Sequence, residues 1–149
     1  MTTAEATWSS MVAALRRRLL GPPAHRSVDD LYQAVAVAHR AASELQTVDG
    51  WNRDLRCTDA ATNLNLAEAE LREALAGQQW TARPTGLSDF AHSSARKVAG
   101  EVVGLLDDVR HALAAATISD GALAGSLAAS RAAVEVAEAR RALGDELRR

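Results

Sequence analysis

Alanine fills 33 of the 149 positions and leucine 18, whereas isoleucine, phenylalanine and tyrosine occur once each and proline three times. The β-branched and aromatic side chains that pack best on a pleated sheet are scarce, and the residues that lose least on entering a helix dominate. An all-α fold follows. A chain of this size can bury about two-thirds of its extended surface, enough for a single core. Residues 1–149 are therefore expected to form one domain, a single antiparallel bundle of about five helices.

Apolar spacing places those helices. The first spans about Ala4 to Leu20, capped by Thr2 or Thr3, with Trp8, Met11, Val12, Leu15 and Leu19 on one face, and Gly21-Pro22-Pro23 ends it. Ser27 caps the second, Asp29 and Asp30 sit in its first turn, and its stripe runs through Val28, Leu31, Val35, Ala38, Ala42 and Leu45 to a stop at Asp49-Gly50. The third either begins at Trp51 or follows a separate turn and starts at a cap on Thr58; Leu64, Ala67, Leu71 and Ala74 mark it and Gly77 closes it. A loop from Gln78 to Leu87 carries Trp80, Arg83 and the turn Pro84-Thr85-Gly86. Ser88 caps the fourth helix, whose face Phe90, Val98, Val102, Leu105, Val109, Leu113 and Ala116 has the clearest period near 3.6. After Ser119-Asp120-Gly121 a fifth runs almost to Arg149, with Leu123, Leu127, Val134, Ala137, Leu143 and Leu147 as its apolar face.

Sixteen arginines and one lysine, Lys97, balance 19 acids to a net charge of −2. No field of one sign extends over the surface, so nucleic acid and anionic lipid are disfavoured as partners. The clusters Arg16-Arg17-Arg18 and Arg140, Arg141, Arg148, Arg149 fit helix C-terminal ends, where the dipole favours cations; they form a patch only if they meet in space. A lone cysteine, Cys57, excludes an intrachain disulfide framework and a multi-cysteine zinc site. No uncharged run approaches membrane-spanning length and no secretory pattern opens the chain, so the expected setting is cytoplasmic. The heavy use of Ala and Arg fits a GC-rich, bacterial genome.

Catalytic chemistry finds few footholds. Asp89-x-x-His92 and Asp108-x-x-His111 loosely resemble the Glu-x-x-His pairs of ferritin-like di-iron proteins. Both lie on one helix about 28 Å apart, too far to share a dinuclear centre. Arg18 and His25, with six residues between them, resemble the Arg-x4-6-His element of the HEPN helical ribonucleases. The match covers two residues, and the spacer holds Gly21, Pro22 and Pro23. That resemblance implies a helical-bundle nuclease, and His39 and His111 are further candidates for a small α-helical enzyme. Arg53 and Arg56 could activate Cys57 if they face it; a buried, idle thiol is the plainer reading. No catalytic residue, metal ligand or cofactor site is assigned.

Two features point to association instead. Trp51 precedes Arg53 and Arg56, and Trp80 precedes Arg83, the residue types most enriched at binding hot spots; equally, each Trp could cap one end of an alanine-rich core, and Trp8 reads as core. Gly100 and Gly104, then Gly121, Gly125, Ala129 and Ala133, recur every four residues, the spacing that lets two helix axes approach closely. This row is either a self-association face or the packing of helices four and five on each other. The expected function is a non-enzymatic protein–protein interaction module, an accessory, regulatory or assembly subunit. A self-assembling homo-oligomer and a small helical enzyme are the alternatives.

Overall fold

The structure, a computed structural model, describes residues 3–21, 28–74, 92–118 and 127–149. Five helices account for almost all of them: α1 (Thr3–Leu20), α2 (Val28–Leu45), α3 (Arg56–Ala74), α4 (His92–Ile118) and α5 (Leu127–Arg148). There is no strand among the described residues. The fold is an all-α bundle.

Side-chain pairs fix the direction of each helix. Tyr32 meets Arg72 and His39 meets Glu68, so α2 and α3 are antiparallel. Arg131 meets Glu70 and Arg56 meets Asp145, which makes α3 and α5 antiparallel, and Arg140 to Asp107 does the same for α4 and α5. Ser9 to Glu101 and Arg16 to Asp108 run in register, so α1 lies parallel to α4. The packed pairs α2/α3, α3/α5, α5/α4 and α4/α2 close a four-helix ring in which every neighbour is antiparallel, and α1 lies against α4 and α2. Because α3 and α4 sit diagonally and point the same way, the chain between Ala74 and His92 links opposite ends of the bundle. That is the connectivity of bundles with one long crossover.

The core follows the apolar period on four helices. Trp8, Val12, Leu15 and Leu19 of α1, Leu31, Val35, Ala38, Ala42 and Leu45 of α2, Leu64, Ala67 and Leu71 of α3, and Val98, Val102, Leu105, Val109 and Leu113 of α4 are all buried. On α5 the outcome differs: Ala129, Ala132, Val136, Ala139 and Leu143 face the core, while Leu127 and Val134 face out. Alanine on the inner face lets α5 lie close to both α3 and α4, which longer side chains would hold away. The expected inward position of Leu127 and Val134 is corrected accordingly.

Helix ends differ in detail from expectation. α2 stops at Leu45, four residues before Asp49, where Gln46, Thr47 and Val48 fold back onto the carbonyls of Ala42, Glu44 and Leu45 and the Thr47 hydroxyl donates to Glu44 O at 2.7 Å. The proposed caps Thr2, Ser27 and Ser88, the closing Gly77, and Phe90 lie outside the described residues, as do Trp80, Arg83, Gly121 and Gly125.

Candidate functional site

The turn between α2 and α3 is the most irregular described backbone. Gly50, Asn52 and Leu55 all have positive φ, at 83°, 66° and 59°. Gly adopts this region freely and Asn tolerates it, but an aliphatic residue there is strained. The turn is closed by Trp51 N–H to Val48 O at 3.1 Å and Leu55 N–H to Asn52 O at 3.1 Å. Trp51–Leu55 form a separate turn, but neither expected start is the one adopted: the helix begins at Arg56, and Thr58, expected as its cap, is its third residue. Leu55, immediately before it, has no side-chain acceptor to offer the first helical N–H groups. Asn52 supplies one from across the turn: its Oδ1 accepts from Thr58 N at 3.0 Å and its Nδ2 donates to Thr58 Oγ1 at 2.9 Å.

The last turn of α5 grips this segment. Asn52 N–H donates to Glu146 Oε1 at 2.8 Å, Arg149 donates to Gly50 O at 2.7 Å, and Arg56 donates to Asp145 O at 2.7 Å. Arg96 of α4 donates to Leu147 O at 2.7 Å and lies over the Trp51 ring, 5.9 Å from its centroid. Trp51 is only 9% exposed, which makes it a core cap rather than an open hot spot, and Arg53 beside it is exposed. Arg56 is committed to Asp145 and does not activate the thiol. Burial, reinforced by the Glu146 charge and partly offset by Arg149, pushes the Cys57 thiol up to about 12, which leaves it inert as a nucleophile. The Glu146 side chain is fully buried; its Oε1 is ion-paired with Arg149 at 3.0 Å, and its Oε2 has no hydrogen-bond partner among the described residues.

A second polar group runs along the α2–α3 seam. His39 Nδ1 lies 2.8 Å from Glu68 Oε1, Glu68 Oε2 lies 3.7 Å from Arg72, and Arg72 donates to the Tyr32 hydroxyl at 3.1 Å while stacking over its ring. A carboxylate only accepts, so Nδ1 is the donor in this pair. The i, i+4 spacing of Glu68 and Arg72 shows the second link in sequence; the first, between helices 29 residues apart, has no local signature. Among the described residues no three His, Cys, Asp or Glu side chains are grouped to hold a metal ion. Asp107 and Asp108, adjacent on α4, turn to opposite neighbours, Arg140 and Arg16, and His111 is exposed.

The glycine row on α4 meets neither itself nor α5. A Cβ on Gly100 would touch nothing within 4 Å, and one on Gly104 would come within 2.8 Å of the Arg16 guanidinium from α1. Ala129 is buried inside the bundle. Of the arginine clusters, Arg17–Arg18 and Arg148–Arg149 lie at opposite ends because α1 and α5 run in opposite directions, while Arg16 and Arg140 sit level with each other against α4, each paired with its own carboxylate, Asp108 and Asp107.

What remains open is the outer face of α5 and its seam with α4. Ala114, Ala133, Val134 and Ala137 line a shallow groove there with Asp107, Arg110 and His111. Val134 is 60% exposed and Leu127, two turns away on the same face, is 61% exposed. No described helix is long and apolar enough to cross a membrane. No protein family, curated protein or solved structure matches this chain.

Proposed function

We propose that the chain is a non-enzymatic interaction module, an accessory or regulatory subunit that receives an amphipathic helix of another protein along the α4–α5 seam. The observation that carries this reading is the exposure of Leu127 and Val134 on a helix whose inner face is mostly alanine. Single exposed aliphatics are ordinary, but two aligned two turns apart on one face of α5, with Val134 lining an apolar groove against α4, offer a strip along which a partner helix can pack. The flanking charges favour an acidic partner. At the groove a single Asp107 is shared by Arg110 and Arg140, and Arg141, two turns after Val134, stands farther out than its partner Glu138. A cytoplasmic setting belongs to the same reading, because Cys57 is a buried free thiol.

A photo-crosslinker placed at position 134 tests it, with Leu127→Asp/Val134→Asp as the matched variant. The expected result is an adduct with one protein whose crosslinked peptide is an acidic amphipathic helix, and loss of that protein's binding in the variant with its unfolding midpoint kept. An adduct only with a second copy of the chain would replace this reading by self-assembly. Binding unchanged in the double variant would overturn it.

One observation favours a second reading, that of a small helical enzyme: Glu68 Oε1 lies 2.8 Å from His39 Nδ1 and orients a partly exposed imidazole. Any turnover by the purified protein should then be abolished by His39→Ala and reduced by Glu68→Gln. Activity untouched by both would end that reading.

A further inference from the structure

We infer that the last turn of α5 is a latch that opens while the bundle stays folded, and that it controls access to Trp51 and Cys57. Beside its own N–H bond to Val48 O and its apolar packing, the polar contacts that cover Trp51 run through Glu146, Leu147 and Arg149 at the end of α5. Its neighbours Gly50 and Asn52 are bonded to Arg149 and Glu146, and Arg96, which covers its ring, is anchored on Leu147 O. Releasing that turn frees all three at once.

The closed state is held by directional polar contacts and opposed by costs stored in the same place. The arginines that make three of the contacts are accessible to water, so each bond exchanges readily for solvent. Against them stand a fully buried carboxylate, paired through Oε1 with Arg149 at 3.0 Å but with Oε2 unpartnered among the described residues, and a leucine held at φ 59°. An unpaired buried acceptor and a strained backbone both recover free energy when the segment opens, and such costs gather where a structure has two arrangements. Elsewhere the bundle is closed mainly by packing of Leu, Val and Ala, with Trp8 Nε1 the other buried side-chain atom without a partner among the described residues and no left-handed aliphatic residue beside it. Local opening at the end of α5 therefore requires less than global unfolding.

Cys57, the only thiol in the chain, reports the opening directly. It is buried among these residues and inert while they are closed. Labelling of the full chain with Ellman's reagent at rising urea is compared with unfolding followed by circular dichroism. The expected result is a labelling rate nearly independent of urea at low concentrations, far above the rate that global unfolding allows. Arg149→Ala should raise that rate by about tenfold, the scale of one lost charge-assisted hydrogen bond, with a much smaller shift in the global midpoint. Leu113→Ala, which destabilises the core without touching the latch, should leave the low-urea rate unchanged. Labelling that follows global unfolding at every urea concentration, or that changes in the two variants only in proportion to their global stability, would overturn the latch.

Discussion

The guanidinium of Arg16 lies in the space that a side chain on Gly104 would fill, and from there its Nε reaches Asp108 at 2.6 Å. Glycine inside a helix costs roughly 0.5–1 kcal/mol relative to alanine, and this contact is what Gly104 provides in return. At Gly100 nothing occupies the equivalent space. Gly100→Ala should therefore stabilise the protein by about 0.5–1 kcal/mol. Gly104→Ala should gain less, because Arg16 has to move from its pairing with Asp108. In an Arg16→Ala background the two gains should become equal. Urea unfolding of the four variants measures this, and an equal gain in the native background would show that Arg16 gives way freely.

Leu55 sits at φ 59° with its side chain 60% exposed. Its backbone is used on both sides: N–H bonds Asn52 O and C=O accepts from Asp59 N–H at 2.9 Å. The side chain contributes little to set against the strain, so Leu55→Gly should stabilise by about 0.5–1 kcal/mol, the left-handed penalty less the added chain entropy. Asn52 shows the opposite balance. Asn52→Gly keeps the φ of 66° accessible and loses the cap on Thr58, a cost of about 1 kcal/mol. Asn52→Ala adds the backbone penalty and should cost about 1 kcal/mol more than the glycine variant. Thermal unfolding of the three variants gives the order Leu55→Gly, wild type, Asn52→Gly, Asn52→Ala.

These two turn residues also show where sequence reading stops. The inner face of α4 was legible because Val98, Val102, Leu105, Val109 and Leu113 repeat at helical spacing, and periodicity depends only on neighbours along the chain. The start of α3 was not, because its cap is Asn52, six residues before Thr58 and across a turn instead of next to the helix. Nor could the pattern reveal a buried Glu146, whose partner Asn52 lies 94 residues away in sequence. Trp51 was placed correctly at a helix boundary, yet whether a boundary tryptophan is covered depends on Arg96 and the end of α5. On α5 the apolar spacing places Leu143 in the core, where it lies, but also Leu127 and Val134, which are exposed, because where helices approach closely the small residues Ala129, Ala132 and Ala139 occupy the inner face.

The thiol of Cys57 makes stability fall in alkali. Its folded pKa of about 12 lies above the ordinary value near 9. Below pH 9 the thiol is protonated in both states and contributes no slope. Between pH 9 and 12 the unfolded chain releases a proton that the folded chain keeps, so stability declines as pH rises, by at most about 1.4 kcal/mol per pH unit. The comparison that isolates the thiol is with Cys57→Ala, in which this part of the slope should vanish. Parallel curves for wild type and variant from pH 9 to 11 would mean that water reaches the thiol in the folded protein.

Leu143 and Val134 are both aliphatic residues of α5, one wholly buried and the other 60% exposed. Leu143→Ala removes packed methyl groups from the core beside Gly144 and should cost about 2–5 kcal/mol, the range for large-to-small changes at buried sites. Val134→Ala removes atoms already in water and replaces a β-branched residue by the best helix former. It should leave stability unchanged within about 0.5 kcal/mol or raise it slightly. Leu127→Ala, at the start of the same face, should behave as Val134→Ala does. Urea unfolding of the isolated chain decides the point. A loss of several kcal/mol on truncating Val134 would place that side chain in the core and remove the docking face, whereas near-neutral values leave Leu127 and Val134 free to serve a partner.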